Sequence, residues 1–362
     1  MAMTTDATTR PAADLADVRA GVAAVRRRNR MRLALTLGIG TVVAAVFAVI
    51  ALSSGAASLT PDRVLATLFG QGDRTENLVV FTLRLPRILA ALFVGAAFGL
   101  AGAVFQAVLR NPLASPDILG VSAGASLGAV WAILGLGLAG AVVSGFALAG
   151  GIAVAAVIWA TAWRQGLHGI RFVLVGVGLA YVCGSLIAWL LARAEVRQAQ
   201  AALLWTVGSV ADVRGDALAL LMIGVTIGCL LVALVSRGLP VLALGDDHAT
   251  SLGVRSSLRR GILLLVAVLL IAVATSVAGP IAFVALIAPA IARRLVDDGS
   301  AALTASVMTG AVLTLGSDVI GQFALPQFTA PVGIVTGLIG APYLLWLLAR
   351  TERRGSGRKA VA

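Results

Sequence analysis

Residues 106–128 read QAVLRNPLASPDILGVSAGASLG. Two opposed signals lie side by side in this stretch. Arg110 suits the C-terminal end of a helix, and Asn111-Pro112 stops that helix. Pro116-Asp117 then opens a second helix. The stretch therefore predicts a tight helical hairpin. Both of its arms belong to long apolar runs, 88–108 and 118–136. A helix that is apolar on every side is buried, either in a large protein core or in a bilayer. Which of the two applies decides the fold.

Composition chooses the bilayer. Of 362 residues, 59% are hydrophobic and only 12% charged, with a mean hydropathy of +1.00. A soluble domain carries about 25% charged residues. Working outward from the hairpin, apolar runs recur near 33–54, 88–108, 118–136, 140–162, 172–192, 217–236, 261–278, 281–292, 303–321 and 331–349. Most approach the ~20 residues that cross the hydrocarbon as a helix. The run 281–292 is short and bracketed by Pro280 and Pro289, so a broken or half-length helix is expected there, surrounded by protein. The first run has a charged lead-in and an apolar core too long for a cleaved signal, and is read as a retained span.

Charge sets the orientation. With ten spans and the N-terminus inside, twenty-one of the 28 Lys and Arg fall on the cytoplasmic side and seven outside. That bias follows the positive-inside rule and places both termini in the cytoplasm. The expected organisation is a disordered cytoplasmic tail over 1–31, a membrane domain over 32–350 with a cytoplasmic loop at 237–260, and a basic cytoplasmic tail over 351–362. The fold class is all-α and integral to the membrane, about ten helices in a compact bundle. The 41 glycines permit close approach between its helices.

Several functions are excluded. The net charge of +12 sits at the ends of apolar runs, without the aromatic platform of a nucleic-acid binder. Lys359 is the only lysine, so no Gly-Lys-Ser/Thr triplet exists to hold nucleotide phosphates. Any ATP must be bound by another chain. Cys183 and Cys229 lie inside apolar runs and read as packing residues, and no Cys/His cluster suggests a metal or other cofactor. The acidic pairs Asp246-Asp247 and Asp297-Asp298 lack the spaced partners of a metal site, and no nucleophile has an evident base. An ion-coupled transporter needs ionisable groups at membrane depth. Only Asp318 is a candidate, and its place near a predicted helix end suits capping or a hydrogen bond.

Two polar patches remain. In FTLRLPRILAALF (81–93), Pro86 predicts a helix start, with Arg84 and Arg87 beside it on the external side. A cationic pair there is the wrong sign for the helix dipole, which points either to interfacial snorkelling or to carboxylates from an external partner. The second patch, LALGDDHATSLGVRSSLRRG (242–261), crowds acids, His248 and arginines into the cytoplasmic loop. Asp246 and Asp247 follow Gly245 as acids at a helix N-terminus, and Gly253 offers its stop.

These segments, taken in order, resemble the permease family that carries ferric siderophores and vitamin B12 as membrane subunits of bacterial ABC importers. The matching residues are LRLPR (83–87), Gly95, Gly99, Gly102, Gln106, RNPLASPDILG (110–120), Gly124, LLWTVGS (203–209), LGDDHATSLGV (244–254), AGPIAFVALIAP (278–289) and APVGIVTGLIGAPYLLWLL (330–348). They cover roughly residues 60–350. The resemblance implies a multi-pass plasma-membrane protein, two permease subunits round a central pathway, two cytoplasmic ATPases that hold ATP and Mg, and an external binding protein. It assigns Arg84 and Arg87 to docking of the binding protein. Coupling to the ATPase falls to the loop with Leu244, Gly245, Asp246, Asp247, Ala249, Leu252 and Gly253. As pathway or structural motif positions it marks Gln106, Arg110, Asn111, Pro112, Gly120, Pro280, Pro289, Asp318, Pro331 and Gly333.

Three positions depart from the family pattern: Ala290 replaces a usual histidine, Gln322 an external arginine, and Thr329-Ala330 an acid-leucine pair. A sister permease that keeps those groups would make a heterodimer; a homodimer would lack them twice over. FVALIAP followed by Ala-Arg-Arg (283–294) and SDVIGQ (317–322) look most like the second permease of ferric-enterobactin-type systems, which implies a catecholate siderophore. Cobalamin and haem are the alternative substrates.

Overall fold

The computed structural model describes residues 12–55, 57–162, 169–236, 256–296, 302–324 and 328–359. It is helical throughout, with no strand among the described residues. The helices, in chain order, are α1 (Ala12–Ser53), α2 (Pro61–Leu68), α3 (Arg74–Asn77), α4 (Leu85–Val108), α5 (Val121–Val130), α6 (Ala141–Ala162), α7 (Gly169–Ala192), α8 (Val196–Val207), α9 (Gly215–Val235), α10 (Ser256–Ala278), α11 (Val284–Val296), α12 (Leu303–Phe323) and α13 (Val332–Lys359). Among the described residues, seven helical stretches are long and apolar enough to cross a membrane. Val121–Gly135 and Val332–Leu347 are shorter apolar helices. α11 has 13 residues and carries Pro289 inside it. Each of the ten apolar runs therefore holds a helix, and the expected broken one is among the short ones. The loop 237–255, with every proposed coupling residue, lies outside the described residues.

α4 is the axis of the bundle. Its span is 83% buried, whereas that of α1 is 0% buried. α12, α10, α11 and α9 all pack against it. Lipid is as apolar as leucine, so contact between these helices gains little from excluding water; close packing must hold them. Small residues permit it. Gly95 and Gly99 on α4 meet Gly310 and Ser306 on α12 so closely that a Cβ at either would fall 2.2 Å from a backbone oxygen. Phe98 and Phe105, fully buried, fill the space on the other sides.

The described chain is helical from Ala12. Ala and Arg, good helix formers, are the commonest residues over 12–31, and the stretch extends a helix already nucleated in the span. At the other end, α13 runs on to Lys359. One expectation needs correction: Pro86 does not start its helix. Arg74 to Val108 is one continuous helix, with a π turn over Leu78–Arg84. Leu85 N–H reaches back five residues to Val80, and this wider turn takes up the disruption that Pro86 brings.

The true helix start is at Asp73. Its side chain accepts from Glu76 N–H while Glu76 bonds back to Asp73 N–H, a complete capping box. Arg63 on α2 grips the Glu76 carboxylate through two hydrogen bonds of 2.8 Å. Acids thus occupy the positive helix end, and the electrostatic oddity of Arg84 and Arg87 disappears.

Candidate functional site

Three segments that interrupt helices meet in the interior: the end of α8, the link from α10 to α11, and the start of α13. Ser209 N–H donates to Ala278 O at 2.7 Å, and Gly333 N–H donates to Gly208 O at 3.2 Å. Contact here is backbone on backbone. A Cβ at Gly333 would lie 1.8 Å from Val207 O, so no other residue fits without displacing α8. Phe283 holds a left-handed φ of 67° just before α11, a conformation costly for a bulky residue. Interrupted helices of this kind expose backbone dipoles to a cavity at membrane depth.

Such a cavity is present, with a volume of about 470 Å³. Thr206 and Val207 come from α8, Pro280 to Ala282 from the α10–α11 link, and Gly333, Ile334, Gly337 and Leu338 from α13. Its fourth wall is the hairpin that opened the sequence reading, through Asp117 and Ser122. The Asp117 carboxylate accepts from Ser122 Oγ at 3.0 Å and from Ser115 Oγ at 3.4 Å. Gly120, at φ 74°, turns the chain from the 3₁₀ turn Pro116–Leu119 into α5. Arg110, Asn111 and Pro112 stay outside the cavity and form its supporting turn: Asn111 accepts from Leu113 N–H through Oδ1 at 2.9 Å and from Ala114 N–H through its backbone at 3.1 Å. Pro331 caps the approach to α13, accepting from Ile334 N–H at 3.0 Å.

Asp117, Ser122 and Thr206 were not singled out by sequence reasoning. Asp117 read as a local helix opener. Only tertiary convergence places it opposite Thr206 and Gly333, although its position in the recognised hairpin was the available signal.

A second group links Gln106 and Pro289, which sequence reasoning named separately. Pro289 has no N–H to offer Ala285 O one turn back. Gly102 on α4 lies against that carbonyl, where a Cβ would fall 1.7 Å from it. One turn along α4, Gln106 Nε2 donates to Leu286 O at 3.1 Å, and Arg293 donates to Gln106 Oε1. Gly102 and Gln106 together form a four-residue step on α4 that matches the proline-broken turn of α11.

The third group holds the arginines. Arg87 binds Asp318 through two hydrogen bonds, Nε to Oδ2 at 2.9 Å and Nη2 to Oδ1 at 2.8 Å. Gln322 adds a bond to Asp318 Oδ2 at 2.6 Å. Asp318 is 1% exposed and sits within α12, not at its end. Its carboxylate is paired with the Arg87 guanidinium. Arg84 donates to the carbonyls of Leu52 and Ala57. No group of three or more His, Cys, Asp or Glu able to hold a metal occurs among the described residues. Cys183 and Cys229 are free thiols, one buried and one half-buried.

The geometry has counterparts. The FecCD transport family model matches residues 43–350. The ferric enterobactin transport system permease protein FepG of Escherichia coli (strain K12) is 38% identical over 303 residues, which cover 84% of this chain and 92% of that protein. The vitamin B12 import system permease protein BtuC of Klebsiella pneumoniae is 35% identical over 285 residues, 77% of this chain and 85% of that protein. Among solved structures, an inward-facing conformation of a metal-chelate type ABC transporter superposes with a TM-score of 0.76 at 29% identity, covering 87% of this chain and 98% of that one. The chain belongs to the FecCD transport family and is a multi-pass permease of the plasma membrane.

Proposed function

We propose that this chain is the permease subunit of an ATP-driven importer that passes a ferric siderophore of the catecholate class into the cytoplasm. The observation that carries the reading is the cavity of about 470 Å³. Its walls are the ends of interrupted helices, built from the segments that sequence reasoning joined to the permease family. The 38% identity to a ferric enterobactin permease favours the catecholate. The cavity walls are mostly apolar, with Asp117, Ser122 and Thr206 as the polar exceptions. A bulky chelate passing such a surface meets few groups that would trap it.

Energy enters from other chains. Two ATPase subunits, holding ATP and Mg, push on the loop 237–260, and a second, non-identical permease completes the passage. An external binding protein delivers the chelate to Arg84 and Arg87. Their internal hydrogen bonds hold both guanidinium groups in fixed directions, which lowers the entropy cost of meeting a carboxylate. Contacts of this sort orient and steer more than they add affinity.

The substrate test is complementation. In a strain deleted for its own catecholate permease, the chain expressed with its partners should restore growth on ferric enterobactin and not on a ferric hydroxamate. Restoration of vitamin B12 uptake alone would replace the siderophore with a cobalamin.

A further inference from the structure

A groove unrelated to the passage runs down the side of the bundle, between α1, the end of α11 and the first half of α12. Its volume is about 360 Å³. Arg32, Leu35, Ile39 and Val43 supply the α1 wall, with Leu295 and Met308 opposite. The α1 residues recur at three- and four-residue steps, so they form one continuous stripe. From Arg32 to Val43 the stripe is about 16 Å long at 1.5 Å per residue. That is close to half of the ~30 Å hydrocarbon core. The groove therefore has the depth of one leaflet. Its two threonines are turned inward on themselves: Thr36 Oγ1 donates to Arg32 O at 2.8 Å and Thr309 Oγ1 to Ala305 O at 2.7 Å. Beyond Arg32 the walls consequently offer an acyl chain no free polar group.

The mouth has the opposite character. Arg28 lies one turn before Arg32 on the same stripe, and Arg26, Arg27 and Arg30 crown the other faces of these turns, all four exposed. No acid occurs between Asp17 and Asp62 on this stretch of chain. Asp297 and Asp298 follow α11 in sequence, and against five arginines they leave an excess of cations. We infer that this groove binds one anionic phospholipid, with its acyl chain along Leu35 to Val43 and its headgroup phosphate against Arg28 and the neighbouring arginines. Cationic clusters beside a membrane helix attract acidic lipids by roughly 1 kcal/mol per residue. An apolar slot below the cluster turns that attraction into a defined site. The inference does not depend on the transported substrate.

The test uses the assembled transporter in detergent, titrated with phosphatidylglycerol or phosphatidylcholine, and counts retained lipid by native mass spectrometry. The expected result is retention of phosphatidylglycerol at least about tenfold over phosphatidylcholine. Replacing Arg26, Arg27, Arg28 and Arg30 with Gln should abolish the preference, and Ile39→Trp, which fills the slot from its open side, should lower retention to a similar extent. Equal retention of the two lipids in the unaltered protein would overturn the inference without any variant. So would full retention in I39W, which would reduce the effect to surface charge. A preference seen in the isolated chain but lost in the complex would assign the groove to a partner subunit and equally overturn it.

Discussion

Arg87 serves two masters. Its guanidinium neutralises Asp318, which is buried in α12, and it stands where the binding protein is proposed to dock. Removing the cation leaves a buried carboxylate unpaired, so Arg87→Ala should cost about 3 kcal/mol, the lower end for a broken buried pair because Arg87 is itself partly exposed. The double change Arg87→Ala with Asp318→Asn should cost clearly less. Thermal unfolding of the purified complex checks both, and equal losses would mean that the pair is not coupled. Docking is better probed at Arg84, whose hydrogen bonds among the described residues go to carbonyls. Arg84→Glu should weaken association with the binding protein about tenfold, more at low salt than at high, because the change acts on electrostatic encounter. A surface-plasmon measurement at two ionic strengths reads this directly. The spacing of Arg84 and Arg87 around Pro86 was legible in the sequence. Their attachment was not, because Asp318 lies 231 residues further along the chain.

At the level of helices, the meeting of α4 with α11 explains why two residue types recur at fixed steps. Pro289 breaks a turn, Gly102 lets α4 close on the freed carbonyl, and Gln106 supplies a donor and an acceptor. Gly102→Ala should therefore destabilise the bundle by several kcal/mol through backbone displacement, beyond the ~1–3 kcal/mol of ordinary overpacking. Gly38→Ala on α1, where nothing lies within 4 Å of the added methyl, should be neutral or stabilising by up to about 1 kcal/mol. Similar unfolding temperatures for the two variants would refute the close approach. Gln106→Leu, similar in size, strands Leu286 O and the Arg293 guanidinium, and should cost about 2–4 kcal/mol for the two groups. Periodicity revealed the helices, and the proline bracket revealed the broken one. The π turn before Pro86 escaped, because a proline ahead of an apolar run carries the same local signal whether the helix begins there or widens to pass it. Asp117 escaped for a related reason: hairpin chemistry accounted for it fully, and nothing local announced a cavity.

Across the whole molecule, the arrangement is a buried axis, α4, packed against the spans α9, α10 and α12 and the broken helix α11. The continuous spans hold the bundle, whereas the interrupted ones at α8, α11 and α13 face a cavity with a few polar groups. The sequence carries no Gly-Lys-Ser/Thr triplet of the kind that cradles nucleotide phosphates. The central claim is thus a division of labour, in which this polypeptide forms the passage and companion subunits supply the work. Its most direct test is accumulation of radioactive iron chelate in proteoliposomes that contain this chain, its second permease and the binding protein, with and without the ATPase subunits. The account predicts uphill accumulation only when the ATPases and ATP are both present. Accumulation against a gradient without them would contradict it.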